Sequence, residues 1–344
     1  MLEAQASAPT RERALRAAAP VAIPLAIALA ITAIAQRWSG LDTPDSSFYA
    51  TLALFGDEVT DRAPFTSYYW TRLGYIAPVG LLTGLLGAFP GFLAYKFLLT
   101  SAISVSAFLT IRRHTRTWIA AWLTAGVVTS SVILSYLGNS YLTGSVLAGT
   151  AILIALASTN KHPLASAALA GTTMGWLVMV NPPGVLLAGT IWLILAFHTY
   201  RTNSDVPFVK QLALATATTI GAFAAFLAIG KVIFSEMNWF SAYLDATAID
   251  MWVYSSSTPV WLSDVSLLVP VSILIVCIGN WNGNRSSSSA QQALVISSAN
   301  IGFALTFAPF MGGVNLESPI YQSMLWPPAL IALALVATSR MHDN

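Results

Sequence analysis

The chain has 344 residues, of which 56% are hydrophobic and only 9% are charged, and its mean hydropathy is +0.69. A soluble domain carries roughly 25% charged residues, so this composition excludes a soluble globular protein, and the net charge of +2 is small. Apolar runs that approach the roughly 20 residues needed to cross a hydrocarbon core recur along the chain. They predict an all-α polytopic membrane protein with about ten transmembrane helices and a lipid bilayer, not nucleic acid, as its partner.

Basic and acidic segments alternate along the chain. Lysine and arginine in short loops are retained on the cytoplasmic side of a membrane, so the alternation predicts that both termini are cytoplasmic and that the acidic loops are outside. The inner basic positions are Arg11, Arg13, Arg16, Arg112, Arg113, His114, Arg116, Lys161, His162, Arg201, Lys210, Arg285 and Arg340. The single cysteine, Cys277, leaves no intrachain disulfide to be formed.

We expect residues 1–344 to form one integral membrane domain. It begins with a cytoplasmic tail at 1–16 and a first helix at 17–36, followed by a long first outer loop at 37–89 that carries interfacial helices. Within that loop, the segment 75–89 is only about 15 residues long and contains Pro78, so we expect it to lie along the outer interface without crossing. A second large outer loop spans 235–264. The remaining helices are predicted at 92–111, 117–134, 145–158, 164–180, 185–197, 209–234, 265–279, 293–311 and 324–338.

The first outer loop opens with a helix start, Thr43-Pro44-Asp45. Threonine caps a helix, proline suits its first position and an acid suits its first turn. At the mouth of a helix bundle, Asp45 is also a candidate base or cation ligand, and Tyr49, four residues later, is expected to face the same cavity. Asp57 and Glu58 follow at a charged loop tip, either simply solvated or in contact with a divalent cation.

Arg72 lies between Tyr68 and Tyr75 at a spacing that places all three on one face if the segment is helical. The planar guanidinium donates paired hydrogen bonds to a phosphate. The alternative is an interfacial arginine that extends to the lipid headgroups. Lys96, within the predicted helix 92–111, is a further candidate because an intramembrane charge commonly serves function.

These features resemble the GT-C superfamily of membrane glycosyltransferases, in particular the bacterial protein mannosyltransferase and aminoarabinose transferase branch. The shared pattern is a cytoplasmic N-terminus, one helix, a long outer loop that opens with an acid, and a basic residue before a segment containing proline and glycine. The stretches that carry the resemblance are Arg72-Leu-Gly-Tyr-Ile-Ala-Pro78 and Leu85-Leu-Gly87, and the similarity covers mostly residues 17–160.

The chain departs from that family at two places. Many members carry an acid just before the basic residue, where this chain has Tyr69 and Trp70, and another in the second outer loop, where it has Asn139. These departures favour an alternative in which the protein is a non-catalytic subunit of an envelope assembly complex. A transporter or flippase for a lipid-linked sugar is the other alternative, and it requires no base.

The resemblance implies an inverting glycosyltransferase that moves a sugar from a polyprenyl-phosphate donor to an envelope hydroxyl, on the outer face of the bacterial cytoplasmic membrane. In that mechanism Asp45 is the general base, and Arg72 contacts the donor phosphate with Tyr68 and Tyr75. The resemblance assigns no cofactor, and whether a divalent cation takes part is left open. Substrate-binding candidates are Tyr49, Asp57, Glu58, Lys96, Asn139, and Glu317 and Tyr321 from the predicted last outer loop at 312–326.

Overall fold

The computed structural model describes residues 22–33, 44–56, 71–130, 133–134, 137, 142–159, 161–203, 206–233, 273–274, 278, 287–307 and 324–342. Within these ranges every regular element is a helix. The helices are α1 (Ala22–Ala33), α2 (Pro44–Phe55), α3 (Leu73–Leu86), α4 (Ala88–Arg112), α5 (Thr117–Val128), α6 (Leu142–Ala157), α7 (Pro163–Val180), α8 (Pro182–Asn203), α9 (Phe208–Ile233), α10 (Ser288–Phe307) and α11 (Trp326–His342).

Four of the described helices are long and apolar enough to cross a membrane: α4, α7, the part of α8 at Gly184–Arg201, and α9. The shorter helices α1, α3, α5, α6 and most of α11 are also apolar. The predicted class, an all-helical membrane protein, is therefore confirmed in this coarse form, whereas the number of about ten crossings stays a prediction. The predicted second outer loop, 235–264, lies outside the described residues.

Between residues 88 and 233 the structure has a helix at each predicted position, but α5 ends earlier than predicted, at Val128, and α8 ends later, at Asn203. Two prolines were expected to stop a helix at 181–184, and α7 ends at Val180 while α8 begins at Pro182. The segment 75–89 differs from the prediction because it belongs to two helices. Gly87 separates them at φ 87°, a left-handed conformation that glycine adopts without strain, so the chain turns sharply and α4 begins at Ala88.

Several helix ends meet at one end of the bundle. His114, in the turn between α4 and α5, pairs through Nε2 with Oε1 of Gln292 in α10 at 2.7 Å. The amide nitrogen of Gln292 in turn donates to the hydroxyl of Ser158, just after α6. A small cleft nearby is lined by the end of α6, the start of α7, the end of α8 and the start of α9, including Thr159, Pro163, Tyr200 and Gln211.

We call this the basic end, because the turns that meet there carry Arg112, Arg113, Arg116, Lys161, His162, Arg201 and Lys210. The basic positions of these described turns therefore lie at one end of the bundle, whereas the acidic loops of the predicted alternation lie outside the described residues.

The helix α3 begins and ends at the opposite end of the bundle. Its first turn packs on the last turn of α7, where a Cβ on Gly74 would lie 2.7 Å from Cγ2 of Val180. Its last turn adjoins the start of α4, where a Cβ on Gly91 would lie 2.5 Å from the backbone of Thr83. Both contacts are at the end where α7 finishes and α4 begins, so α3 does not run from one end of the described bundle to the other. Its position along the outer interface stays a prediction.

The long helix α9 is attached to the bundle mainly through α7. Gly171 and Gly175 of α7 leave no room for a side chain, because a Cβ on either would collide with α9, at Thr218 and Ala215 for Gly171 and at Ala222 for Gly175. The hydroxyl of Thr219 also donates to the Gly171 carbonyl at 3.0 Å. Small residues thus let two apolar helices approach closely, a common basis of helix association in membranes.

Candidate functional site

The helix α2 starts where the sequence predicted it would. It begins at Pro44, so the helix start predicted from Thr43-Pro44-Asp45 is confirmed and Asp45 occupies the first turn. The side chain of Asp45 lies outside the part of the chain that the structure describes. Its backbone is part of α2, and the contacts of Tyr49 and Ala53 further along that helix show where it lies.

The helices α2 and α3 lie side by side and run in the same direction. The ring of Tyr49 in α2 meets the ring of Tyr75 in α3 edge to face, with centroids 6.1 Å apart. Further along both helices, a Cβ on Gly80 of α3 would lie 2.9 Å from the carbonyl oxygen of Ala53 in α2. Because the contact moves toward the C-terminus on both helices at once, the pair is parallel and both N-termini are at the same end.

This parallel arrangement brings Asp45 and Arg72 into the same region. With 3.6 residues per turn, Asp45 is about one turn before Tyr49, and Arg72 is about one turn before Tyr75. The rings of the two tyrosines are in contact. The first turn of α2 and the start of α3 are therefore neighbours.

Arg72 is a buried cation immediately before α3. Its side chain is 5% exposed, and its Nε and Nη1 atoms have almost no accessible surface. A snorkelling arginine keeps its charged group in water, whereas this side chain is enclosed by protein. A guanidinium stays protonated in proteins, and burying its charge is costly unless other groups compensate it.

The helix begins at Leu73, which corrects one detail of the sequence interpretation. Arg72 has a non-helical backbone with φ −84° and ψ 40°, and its carbonyl accepts hydrogen bonds from the amides of Tyr75 at 2.9 Å and Ile76 at 3.0 Å. Arg72 therefore caps the helix, and the predicted helical face through Tyr68, Arg72 and Tyr75 does not extend back through it. Tyr68 itself lies outside the described residues.

Gly74 and Trp176 hold the start of α3 in place. The indole N–H of Trp176 in α7 donates to the Gly74 carbonyl at 2.7 Å. The missing side chain of Gly74 allows this approach, since a Cβ there would lie 2.8 Å from the Trp176 carbonyl oxygen and 2.9 Å from the Val180 nitrogen. Arg72, two residues before Gly74, is positioned by this contact.

A series of buried tyrosines continues from α2 to α6. The ring of Tyr75 meets that of Tyr95 in α4 edge to face at 5.5 Å, and the Tyr95 hydroxyl forms a 2.7 Å hydrogen bond with the hydroxyl of Ser145 in α6. Tyr49, Tyr75 and Tyr95 are all buried. They pack four helices together beneath Arg72, and edge-to-face pairs of this kind add about 0.5–1.5 kcal/mol each beyond their buried area.

The other predicted residues are less well connected to this site. Lys96 is half-buried in α4, but it leaves the helix about 100° around from Tyr95 and so on another side. Within the described ranges, no group of three or more histidine, cysteine, aspartate or glutamate side chains is placed to hold a metal ion. The predicted candidates Asp57, Glu58, Asn139, Glu317 and Tyr321 lie outside the described residues.

Sequence reasoning missed three residues that shape the site: Trp176, Tyr95 and Ser145. Trp176 forms its hydrogen bond with Gly74, which is 102 positions earlier, and Ser145 forms its hydrogen bond with Tyr95, which is 50 positions earlier. Only the glycine two residues after Arg72 carried a local signal, because a glycine in a helix commonly marks a close approach of two backbones.

The fold and its apolar helices define the class of the protein as a helical membrane protein. No family model, no curated protein and no solved structure matches the chain.

Proposed function

We propose that this chain is a membrane glycosyltransferase that moves a sugar from a polyprenyl-phosphate donor to a hydroxyl group of an envelope acceptor. The observation that carries the proposal is the parallel packing of α2 and α3, through Tyr49 on Tyr75 and Ala53 on Gly80. It makes the first turn of α2, which contains Asp45, a neighbour of the buried Arg72. A carboxylate and a fixed cation are the two groups that this reaction needs.

The charges at this point favour a phosphate. Each helix N-terminus carries the equivalent of roughly half a positive charge and several backbone N–H groups without a partner inside the helix. Two parallel helices direct these groups to the same region, and Arg72 adds a full positive charge in a buried setting. Helix N-termini and arginine both bind phosphate oxygens well.

The far end of α3 suits the lipid part of the donor. Leu81, Leu85, Leu86 and Phe89 are 64%, 72%, 51% and 50% exposed around the α3–α4 corner. At 1.5 Å per residue, this corner is roughly 20 Å along α3 from Arg72. One helix thus begins at a cation and ends in exposed apolar side chains, which matches an amphiphile with an anionic headgroup and a long tail.

In the proposed reaction, Asp45 accepts the proton of the acceptor hydroxyl as its oxygen attacks the anomeric carbon of the sugar. The bond between that carbon and the phosphate oxygen breaks at the same time, so the anomeric configuration is inverted. Arg72 stabilises the negative charge that develops on the departing polyprenyl phosphate. The positive-inside tendency puts the basic end in the cytoplasm and this site on the outer face.

The experiment is transfer of radiolabelled sugar from a panel of polyprenyl-phosphate donors by the purified protein. Wild type is compared with Asp45→Asn, Arg72→Ala and a control, Lys161→Ala, which changes an exposed cation at the basic end. We expect activity to fall roughly 10²–10⁴-fold in Asp45→Asn and about 10²–10³-fold in Arg72→Ala, with the control unchanged.

Equal transfer by wild type and Asp45→Asn would remove Asp45 as the base. No transfer from any donor, with all variants folded, would contradict the enzymatic proposal and favour transport or assembly.

A further inference from the structure

The turn between α4 and α5 presents two arginines and two tryptophans outside the region of the proposed reaction. Arg113 and Arg116, on either side of the turn, are exposed. Trp118 and Trp122, in the first two turns of α5, are 61% and 73% exposed. We call these four residues the turn surface. It is at the basic end, at the other end of the bundle from Arg72.

Contacts of the neighbouring residues His114 and Arg112 hold the turn in place, and Arg113 and Arg116 remain at the surface. His114 is directed toward α10, where its Nδ1 is 3.2 Å from the Ser288 hydroxyl and its Nε2 is 2.7 Å from Oε1 of Gln292. Arg112 lies over an aromatic ring, with its guanidinium carbon 6.0 Å from the ring centroid of Phe108.

Trp118 and Trp122 follow the arginines at increasing distance along α5. Trp118 is two residues after Arg116, and Trp122 is one turn further along α5, or about 5.4 Å. Both are on the same face of the helix, since residues four apart share a face. The next position on that face is Gly126, where a Cβ would have nothing within 4 Å. Along α5, the turn surface therefore passes from the two arginines to two indole rings, and the same helix face continues at Gly126 with open space beside it.

An anionic phospholipid has matching chemistry in the same order. Its headgroup complements the charges of Arg113 and Arg116, and its acyl chains fit beside the indole rings and the open space at Gly126 further along α5. Desolvation by the neighbouring protein lowers the pKa of Arg113, but a guanidinium titrates so far above neutrality that its charge remains. Basic residues near a membrane surface attract anionic lipid by roughly 1 kcal/mol each.

We infer that the turn surface is a binding site for an anionic phospholipid of the leaflet at the basic end, with Arg113 and Arg116 on the headgroup and Trp118 and Trp122 along the acyl chains. An ordinary aromatic belt anchors a helix by the position of its rings at the interface and does not select lipids by charge. Selectivity for charge is therefore the property that distinguishes this site.

The test uses quenching of tryptophan fluorescence by brominated lipids in nanodiscs. The chain has 11 tryptophans, so the signal of interest is the difference between wild type and the double variant Trp118→Phe with Trp122→Phe. Brominated phosphatidylglycerol and brominated phosphatidylcholine are titrated separately at matched mole fractions. We expect half-quenching of that signal at an about 5–30-fold lower fraction of the anionic lipid, as two contacts of roughly 1 kcal/mol each imply.

The arginines are tested in the double variant Arg113→Gln with Arg116→Gln, beside Lys161→Gln as a control from the same end of the bundle. The preference for the anionic lipid is expected to disappear in the arginine variant and to persist in the control. Helical content by circular dichroism shows whether each variant is folded. Equal quenching by the two lipids in wild type, or a preference that survives in the folded arginine variant, would overturn the inference.

Discussion

The contact between Gly74 and α7 gives the sharpest prediction about how the site is built. In Gly74→Ala, the new methyl group would lie 2.7 Å from Cγ2 of Val180, 2.8 Å from the Trp176 carbonyl oxygen and 2.9 Å from the Val180 nitrogen. Two of these three atoms belong to the backbone and cannot rotate away. The start of α3 must therefore move off α7, which also breaks the 2.7 Å hydrogen bond from Trp176 to the Gly74 carbonyl.

The expected change in the free energy of unfolding of Gly74→Ala combines two costs and one gain. Overpacking costs about 1–3 kcal/mol, and the lost hydrogen bond costs about 0.5–1.5 kcal/mol. Alanine in a helix recovers about 1 kcal/mol relative to glycine. We therefore expect Gly74→Ala to lower the free energy of unfolding by about 0.5–3.5 kcal/mol. Binding of a lipid phosphate is also expected to weaken, because Arg72 is two residues before the displaced glycine.

The assay is thermal unfolding of the purified protein in detergent, with Gly84→Ala as the matched control. Gly84 is in the same helix, is exposed and would have nothing within 4 Å of a Cβ, so its replacement tests the effect of alanine alone. The midpoint is expected to fall in Gly74→Ala and to stay the same or rise in Gly84→Ala. A midpoint for Gly74→Ala equal to that of wild type would refute the close contact, and an equal fall in both variants would refute its specificity.

Three further predictions concern other contacts of the bundle. Gly171→Ala is expected to lower the unfolding midpoint because its Cβ would collide with α9. Gly221→Ala, which faces open space on α9, is expected to leave the midpoint unchanged or to raise it. Equal midpoints in the two variants would contradict this packing. Tyr95→Phe and Ser145→Ala are each expected to cost about 1 kcal/mol or more, and their double variant less than the sum, so strictly additive unfolding energies would exclude the hydrogen bond. His114→Ala is expected to speed hydrogen–deuterium exchange at the start of α10, and unchanged exchange there would argue against the connection through Gln292.

The sequence predicted most of the helices because length and apolar composition determine them locally. The start of α2 was also predictable, since proline at a first helical position leaves a recognisable pattern at Pro44. The prolines at 182 and 183 predicted the end of α7, whereas α8 begins three residues before its predicted start at 185. The start of α3 was not predictable in this way. Arg72 stands at helical spacing from two tyrosines, so periodicity extended the helix across it, whereas the chain becomes helical only at Leu73.

The candidate site was predictable only in part. The sequence identified Asp45, Tyr49, Arg72 and Tyr75 one by one, from residue type and local spacing. The contact between Tyr49 and Tyr75 that makes α2 and α3 parallel neighbours depends on the packing of two helices separated by a long connection. The indole of Trp176, which fixes the start of α3, comes from a helix 102 residues further along, and no local pattern carries that information.

The central claim is that Arg72 holds a lipid phosphate at the joint N-terminus of α2 and α3. It is tested most directly by titrating the purified protein in nanodiscs with a short-chain polyprenyl phosphate. Hydrogen bonds to charged groups contribute about 1.5–3 kcal/mol, so we expect Arg72→Ala to raise the Kd about 10–100-fold and Arg72→Lys to raise it less. Lys161→Ala, at the basic end, is expected to bind as wild type does. An unchanged Kd in folded Arg72→Ala would contradict the assignment.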